Sequence, residues 1–376
     1  MRVLVVGAGA LGSWVGAQLS HSGVDTTLVA RGAHGAAMAA GGLTIIGPEA
    51  DRSFRISPTV VSTVGDAIDA TSPPFDAILV TVKSWASATV GAEIRSAGGA
   101  SGPVISLQNG VGNEAMLAAA LGGRAPEPLS ERAVGVCASV GSGSVTVGVS
   151  VERPGVVAAS PGGGVGLARD AAGADIIADR LAAAGVPVVW SDDARTLKWS
   201  KLLLNMLGAA TTAIVDRPPV DILARRDIFA IEVRAWRETL AVMHDLGIGT
   251  MDLPGYHVTR LAAAVRWAPV AVLHRLFAAR LARARGERMP GVGTDLRARR
   301  STSEIEAMHG AVAAVAAAHG MHAPTCRVLS SLVLGLADGS MDRAAFAGRP
   351  EALLAAVDAG RGSPEQAQPE QVHGDR

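Results

Sequence analysis

Residues 2–12 read "RVLVVGAGALG", and the fold turns on them. A short apolar run is broken by three glycines, Gly7, Gly9 and Gly12, after which small and apolar residues continue at helical spacing through Leu19. This is strand, tight turn, helix. The first glycine permits the turn, the second lets the backbone approach a pyrophosphate, and the third lets helix and strand pack closely. In a chain with 45 glycines the bare G-x-G-x-x-G pattern is often coincidence. Placed between a strand and a helix, it predicts a dinucleotide site built on the backbone of Gly7, Gly9, Ala10, Leu11 and Gly12.

The runs that follow extend the same architecture. "TTLVAR" ends at Arg31, and "FDAILVTVK" and "GPVISLQNG" read as further buried strands separated by Ala-rich helical segments. That βαβ series implies a parallel sheet covered on both faces. From about 130 to 168 valine and glycine alternate, which predicts antiparallel strands finishing the first domain, with "VPVVWSDD" as its last strand. From Asp192 the pattern changes. "DDARTLKWSKLLLNMLGAATTAIV" has the periodicity of one long helix with acid in its first turn, and 221–248, 255–286, 302–320 and 324–338 read as further helices.

The predicted fold class is therefore α/β, an N-terminal Rossmann-type dinucleotide-binding domain followed by an all-α C-terminal domain. The expected boundaries are 1–190 for the Rossmann-like dinucleotide-binding domain, 191–345 for a helical substrate and dimerisation domain, and 346–376 for a polar, disordered tail.

Composition narrows the function classes. The 376 residues are 49% hydrophobic and 18% charged with zero formal net charge, which suits a soluble protein and argues against an electrostatic grip on nucleic acid. Two cysteines, Cys137 and Cys326, make neither a disulfide framework nor a tetrahedral zinc site and suit a reducing cytoplasm. No signal peptide and no membrane span are expected. The segment 255–288 is basic and amphipathic. Trp267, Leu273, Leu276, Phe277 and Leu281 form an apolar stripe expected to pack over a cleft or a partner subunit of a homodimer rather than on a membrane surface.

Scarcity marks the chemistry. Of 34 basic residues only Lys83, Lys198 and Lys201 are lysines, and asparagine occurs only at Asn109, Asn113 and Asn205. Arginine replaces lysine on a solvated surface but not where a compact ammonium must give up a proton. Lys83 and Asn109 follow predicted strands, at the sheet edge where ligands bind, and are expected to contact cofactor or substrate. Lys201 and Asn205 are i and i+4 on one helix face, so they should share one space. A partly buried Lys201 ammonium can protonate a developing alkoxide. Lys198, nearer the helix start, is expected to be solvated. Arg31 stands where NAD-binding versions of the second strand carry an acid; its guanidinium matches a 2′-phosphate and points to NADPH. Tyr256, the only tyrosine, has no lysine four residues on, and His319, His322 and Cys326 lack the further ligands of a metal site, so none is expected.

In their order, "GAGALG", Arg31, "VKSW", "LQNGVG", "KWSKLLLN" and "STSEIEAMHG" resemble the ketopantoate reductases (2-dehydropantoate 2-reductases), from Met1 to about Leu336. The resemblance implies a Rossmann domain and a helical domain with NADPH and a small-molecule substrate in the cleft between them. By motif it implies Lys201 as the general acid, Asn205 as a substrate ligand, Glu304 as a carboxylate at the nicotinamide end, and Lys83 and Asn109 as cofactor and active-site contacts. The chain departs from the family pattern at Ala209, Pro219 and Gly291, where the family places polar substrate contacts, and carries one extra residue between Asp295 and Glu304. Glycine and alanine there suggest room for a larger substrate. Three readings stand: reduction of a 2-oxo acid or related ketone, reduction of a bulkier substrate in a biosynthetic pathway, and non-catalytic NADP(H) sensing.

Overall fold

The computed structural model describes residues 1–68, 73–100, 102–135, 137–278 and 289–362. Its strands are β1 (Arg2–Val6), β2 (Asp25–Val29), β3 (Leu43–Ile46), β4 (Phe54–Ile56), β5 (Thr59–Val61), β6 (Ala77–Val80), β7 (Val104–Ser106), β8 (Val140–Val145), β9 (Val149–Arg153), β10 (Val156–Ala159), β11 (Val165–Ala168) and β12 (Val188–Ser191). Eight of them form one sheet in the order β12-β11-β8-β7-β6-β1-β2-β5. Every pairing from β5 to β8 is parallel, β11 runs antiparallel to β8, and β12 is parallel to β11. The chain leaves β1 toward β2 on one side and later returns to place β6 on the other. A crevice therefore opens between the carboxyl ends of β1 and β6, where open α/β sheets bind ligands.

Alternation along β1 explains why the sheet is covered on both faces. Val3 and Val5 belong to one buried cluster, Leu4 and Val6 to another on the opposite face. The helix Ala10–His21 lies close against the sheet because its inner positions are small: a Cβ built on Gly16 would stand 2.5 Å from Leu28 Cδ2. A third cluster holds the helical half together around Trp199, Phe229, Trp236 and Leu329, and includes Val111 and Ala168 from the sheet half.

Four expectations change. The valine–glycine stretch does not all join the main sheet: β9 and β10 pair with β3 and β4 in a second, four-stranded sheet of order β4-β3-β10-β9. The long helix is two helices, Ala194–Met206 and Ala209–Val215. Gly208 adopts φ 68° at the break, and the buried Glu232 carboxylate accepts its N–H at 3.0 Å and the Thr211 hydroxyl at 2.5 Å, which satisfies the start of the second helix. The expected tail begins with a helix, Pro350–Gly362, whose Leu353 and Val357, one turn apart, are buried in the helical core; 363–376 lie outside the described residues. In the 255–288 stripe only Leu273 is buried, whereas Trp267 is 81% and Leu276 56% exposed, because Pro269 follows the end of the helix at Trp267 and turns the chain; Leu281 lies outside the described residues. No helix among the described residues is long and apolar enough to cross a membrane.

Candidate active site

The glycine cradle sits at the switch point. Gly7 has φ +98°, and a Cβ on it would meet Val82 Cγ1 at 2.5 Å. A Cβ on Gly12 would stand 2.4 Å from Thr81 Oγ1 and 2.6 Å from the Gly7 carbonyl. Thr81 itself donates to the Val6 and Gly7 carbonyls at 3.1 and 2.9 Å, joining β1 and β6 at their ends. Around Gly9, by contrast, the space is open, with nothing within 4 Å of a built Cβ. Gly9 is the N-cap of Ala10–His21 and no side chain caps that end. Uncapped N–H groups at a helix N-terminus, reached over a bare backbone, fit a pyrophosphate. The backbone of Gly9, Ala10, Leu11 and Gly12 would hold it.

Arg31 follows the second strand as expected and precedes the helix Gly32–Gly41. Its side chain is exposed, with Nη2 3.0 Å from Glu93. Such an exposed pair is weak and yields readily to an incoming phosphate.

Lys83 leaves the end of β6 and meets two carboxylates of the helical half, Glu304 at 2.6 Å and Asp295 at 3.2 Å. Burial works against the ammonium, but the two carboxylates outweigh it and hold Lys83 above its ordinary value. It stays charged at neutral pH. Gly291 lies against this group: a Cβ there would be 2.9 Å from Lys83 Nζ and 3.3 Å from Glu304 Oε2. The Lys83–Glu304 pair therefore stands in the space next to Gly291, and Ala209 and Pro219 are both buried.

Past β7 the chain makes a polar knot. Gln108 donates its amide to the Val82 carbonyl at 2.9 Å and to Ser87 Oγ at 2.8 Å. Asn113 Nδ2 donates to the Asn109 carbonyl at 2.9 Å, and Asn205 Nδ2 donates to Asn109 Oδ1 at 3.0 Å. The three asparagines of the chain are thus one connected chain of hydrogen bonds. Gly110, at φ +84°, packs on Ala307, whose carbonyl accepts the Val111 N–H at 2.9 Å. That contact brings the segment carrying Glu304 to the sheet edge.

The helix Ala194–Met206 is capped by Asp193, which accepts from the Arg195 and Thr196 N–H groups. It presents Lys198, Lys201 and Asn205 on one stripe and buries Trp199, Leu202, Leu203 and Met206. Lys201 and Asn205 are half-buried, as a site facing a ligand requires. Lys198 corrects the expectation of a solvated side chain: it is 5% exposed and pairs with Glu114 at 2.9 Å. The helix start is covered because glycine in β11 admits it, a Cβ on Gly166 lying 2.6 Å from Leu197 Cδ1.

Sequence reasoning missed Asp295, Gln108, Ser87 and Glu114 as members of this cluster; Asn113 carried a signal in its rarity. It also missed His309, which is fully buried with neither ring nitrogen hydrogen-bonded among the described residues. Burial pushes its pKa down to about 3. The unfolded chain therefore binds a proton that the folded one refuses between about pH 6.5 and 3, so stability falls as pH drops through that window. The slope approaches about 1.4 kcal/mol per pH unit. Urea denaturation of His309→Phe between pH 7 and 5 should show a flatter acid limb than the parent.

A switch-point glycine cradle facing a helix with lysine and asparagine on one stripe defines a dinucleotide-dependent oxidoreductase. Comparison with known proteins narrows the class. The family model "Ketopantoate reductase PanE/ApbA" matches residues 3–167 and its C-terminal companion matches 193–337, so the chain belongs to the ketopantoate reductase family. It is an NADP-dependent oxidoreductase acting on a carbonyl–alcohol pair. The 2-dehydropantoate 2-reductase of Halobacterium salinarum is 29% identical over 340 residues, covering 89% of this chain and 98% of the relative. The crystal structure of a PanE/ApbA family ketopantoate reductase from Ralstonia eutropha JMP134 superposes with a TM-score of 0.70 at 26% identity, covering 90% of this chain and 99% of that one. D-mandelate dehydrogenase, solved with NADH and anilino(oxo)acetate, shares the fold at 20% identity, with a TM-score of 0.69 and coverage of 90% and 99%.

Proposed function

We propose that the protein uses NADPH to reduce the carbonyl of a 2-oxo acid to the hydroxy acid, with Lys201 as general acid. The observation that carries this reading is the 3.0 Å hydrogen bond from Asn205 to Asn109, which draws the stripe bearing Lys201 onto the carboxyl edge of the sheet beside the cradle. When bound, the cofactor supplies the hydride. Lys201, half-buried between Lys198 and Asn205, gives its proton to the carbonyl oxygen as charge develops there. Asn109 and Asn205 orient the substrate. Lys83, itself paired with Asp295, holds Glu304 at one defined place in the cleft. Gly291 and Ala209 open no extra space, so a 2-oxo acid of ketopantoate size is the first candidate and the bulkier substrate loses its support. The sheet half, 1–190, carries the cofactor, and the helical half, from 191, closes the cleft. The free cysteines Cys137 and Cys326 fit a cytoplasmic setting.

Following NADPH absorbance with a panel of 2-oxo acids, ketopantoate included, tests this reading. Turnover of none of them overturns it. Cofactor choice rests on Arg31: NADPH should bind at least about tenfold more tightly than NADH, about 1.4 kcal/mol, and Arg31→Ala should erase most of that gap. Equal dissociation constants in the unmutated protein would remove the 2′-phosphate from Arg31.

A further inference from the structure

We infer that Lys198 is a positioning residue of this site, holding Asn109, and through it Asn205, in register with Lys201. Its ammonium donates to the Gln108 carbonyl at 2.7 Å and to the Gly143 carbonyl at 3.4 Å, and Glu114 Oε1 stands 2.9 Å away as its ion-pair partner. The Lys198 ammonium is turned into the protein at 5% exposure, whereas Lys201 is half-buried, which separates the two neighbours in function. These partners come from three segments of the sheet half: the loop after β7, strand β8, and the helix Asn113–Leu121. One side chain therefore sews the helix that carries Lys201 to the ligand-binding edge.

The Gln108 carbonyl matters most, because it belongs to the peptide whose nitrogen is that of Asn109. Fixing it sets the direction in which Asn109 leaves the strand. The Gln108 amide is pinned to Val82 and Ser87, and the Asn109 carbonyl is pinned by Asn113. With Lys198 in place the remaining freedom of Asn109 is its side chain, whose Oδ1 accepts from Asn205. A compact ammonium can point three ways at once, whereas a planar guanidinium cannot meet this set. A chain that uses arginine nearly everywhere thus keeps a second lysine one turn from the first.

This inference rests on the reading that Asn109 and Asn205 hold the substrate, and a double-mutant cycle distinguishes the two. Lys198→Met is made together with Glu114→Gln, so that no lone buried carboxylate remains, and is combined with Asn205→Ala. Substrate KM, kcat, NADPH affinity by fluorescence and thermal midpoint are measured for each. The Lys198→Met/Glu114→Gln protein should lose roughly 10²-fold in kcat/KM, mostly through KM, with NADPH affinity nearly unchanged, as a misplacement of about 1 Å can cause. Adding Asn205→Ala should then lower kcat/KM by less than about threefold, because both changes break one unit. Losses that multiply while Asn205→Ala alone is impaired overturn this inference and leave the substrate reading standing. A neutral Asn205→Ala overturns both. If the paired variant does not fold, Lys198→Gln, which keeps a donor for the Gln108 carbonyl, carries the same cycle, and losses that multiply with Asn205→Ala again count against positioning.

Discussion

Replacing Lys201 by alanine should lower kcat by roughly 10² to 10⁴ while leaving NADPH affinity nearly unchanged. The size of the loss follows from what the residue does. General acid catalysis contributes only when charge develops on the carbonyl oxygen, so under the proposed role its removal should appear in kcat rather than in cofactor binding. Lys201→Arg separates two explanations of the same loss. Arginine keeps the positive charge but hardly releases a proton near neutral pH, so it should rescue little if proton donation is the role, and much if the charge alone suffices. The environment favours the first outcome: Lys201 is half-buried on the stripe it shares with Asn205, whereas Lys198 is buried against the Gln108 and Gly143 carbonyls and Glu114. Loss of activity on replacing Lys198 therefore leaves the assignment of the general acid where it is. Full activity of Lys201→Arg would move the proton donor to another group, with Glu304 next in line.

What was legible in the sequence was whatever is decided within a few residues. The cradle at Gly7, Gly9 and Gly12, the strand ends at Lys83 and Asn109, and the shared face of Lys201 and Asn205 all follow from periods of 2 and 3.6 and from turn chemistry. Rarity added a second signal, because all three asparagines entered one hydrogen-bonded chain and two of the three lysines proved to be buried or bridging groups. What stayed hidden depends on partners far along the chain. Lys198 looks solvated until Gln108, 90 residues earlier, and Gly143, 55 earlier, are brought to it. The break at Gly208 depends on Glu232, 24 residues on, whose carboxylate makes it possible to end one helix and begin another without orphaned N–H groups. Asp295 reads as a surface acid until Lys83 arrives from the other half. Room at Gly291 is narrowed for the same reason: a missing side chain is space only where no distant side chain enters it, and Lys83 Nζ comes within 2.9 Å of a Cβ built there.

Among the three glycines of the cradle the structure predicts two different kinds of failure. Gly9→Val should cost about a hundredfold or more in NADPH affinity, about 2.7 kcal/mol, while lowering folding stability by no more than about 1 kcal/mol. Nothing lies within 4 Å of a Cβ at Gly9 and its φ of −75° is open to any residue, so the folded chain has no quarrel with valine; only a ligand that must touch the bare backbone does. Gly12→Val is the opposite case. Its Cβ would stand 2.6 Å from the Gly7 carbonyl and 2.4 Å from Thr81 Oγ1, the hydroxyl that joins β1 to β6. One of these obstacles is backbone, so the helix must lift from the sheet, and stability should fall by about 3 kcal/mol along with cofactor binding. Guanidinium denaturation and fluorescence titration with NADPH, run on both variants, separate the effects. Unchanged NADPH affinity in Gly9→Val would mean that the pyrophosphate lies elsewhere, and an equal loss of stability in the two variants would mean that the space over Gly9 is filled by the protein itself.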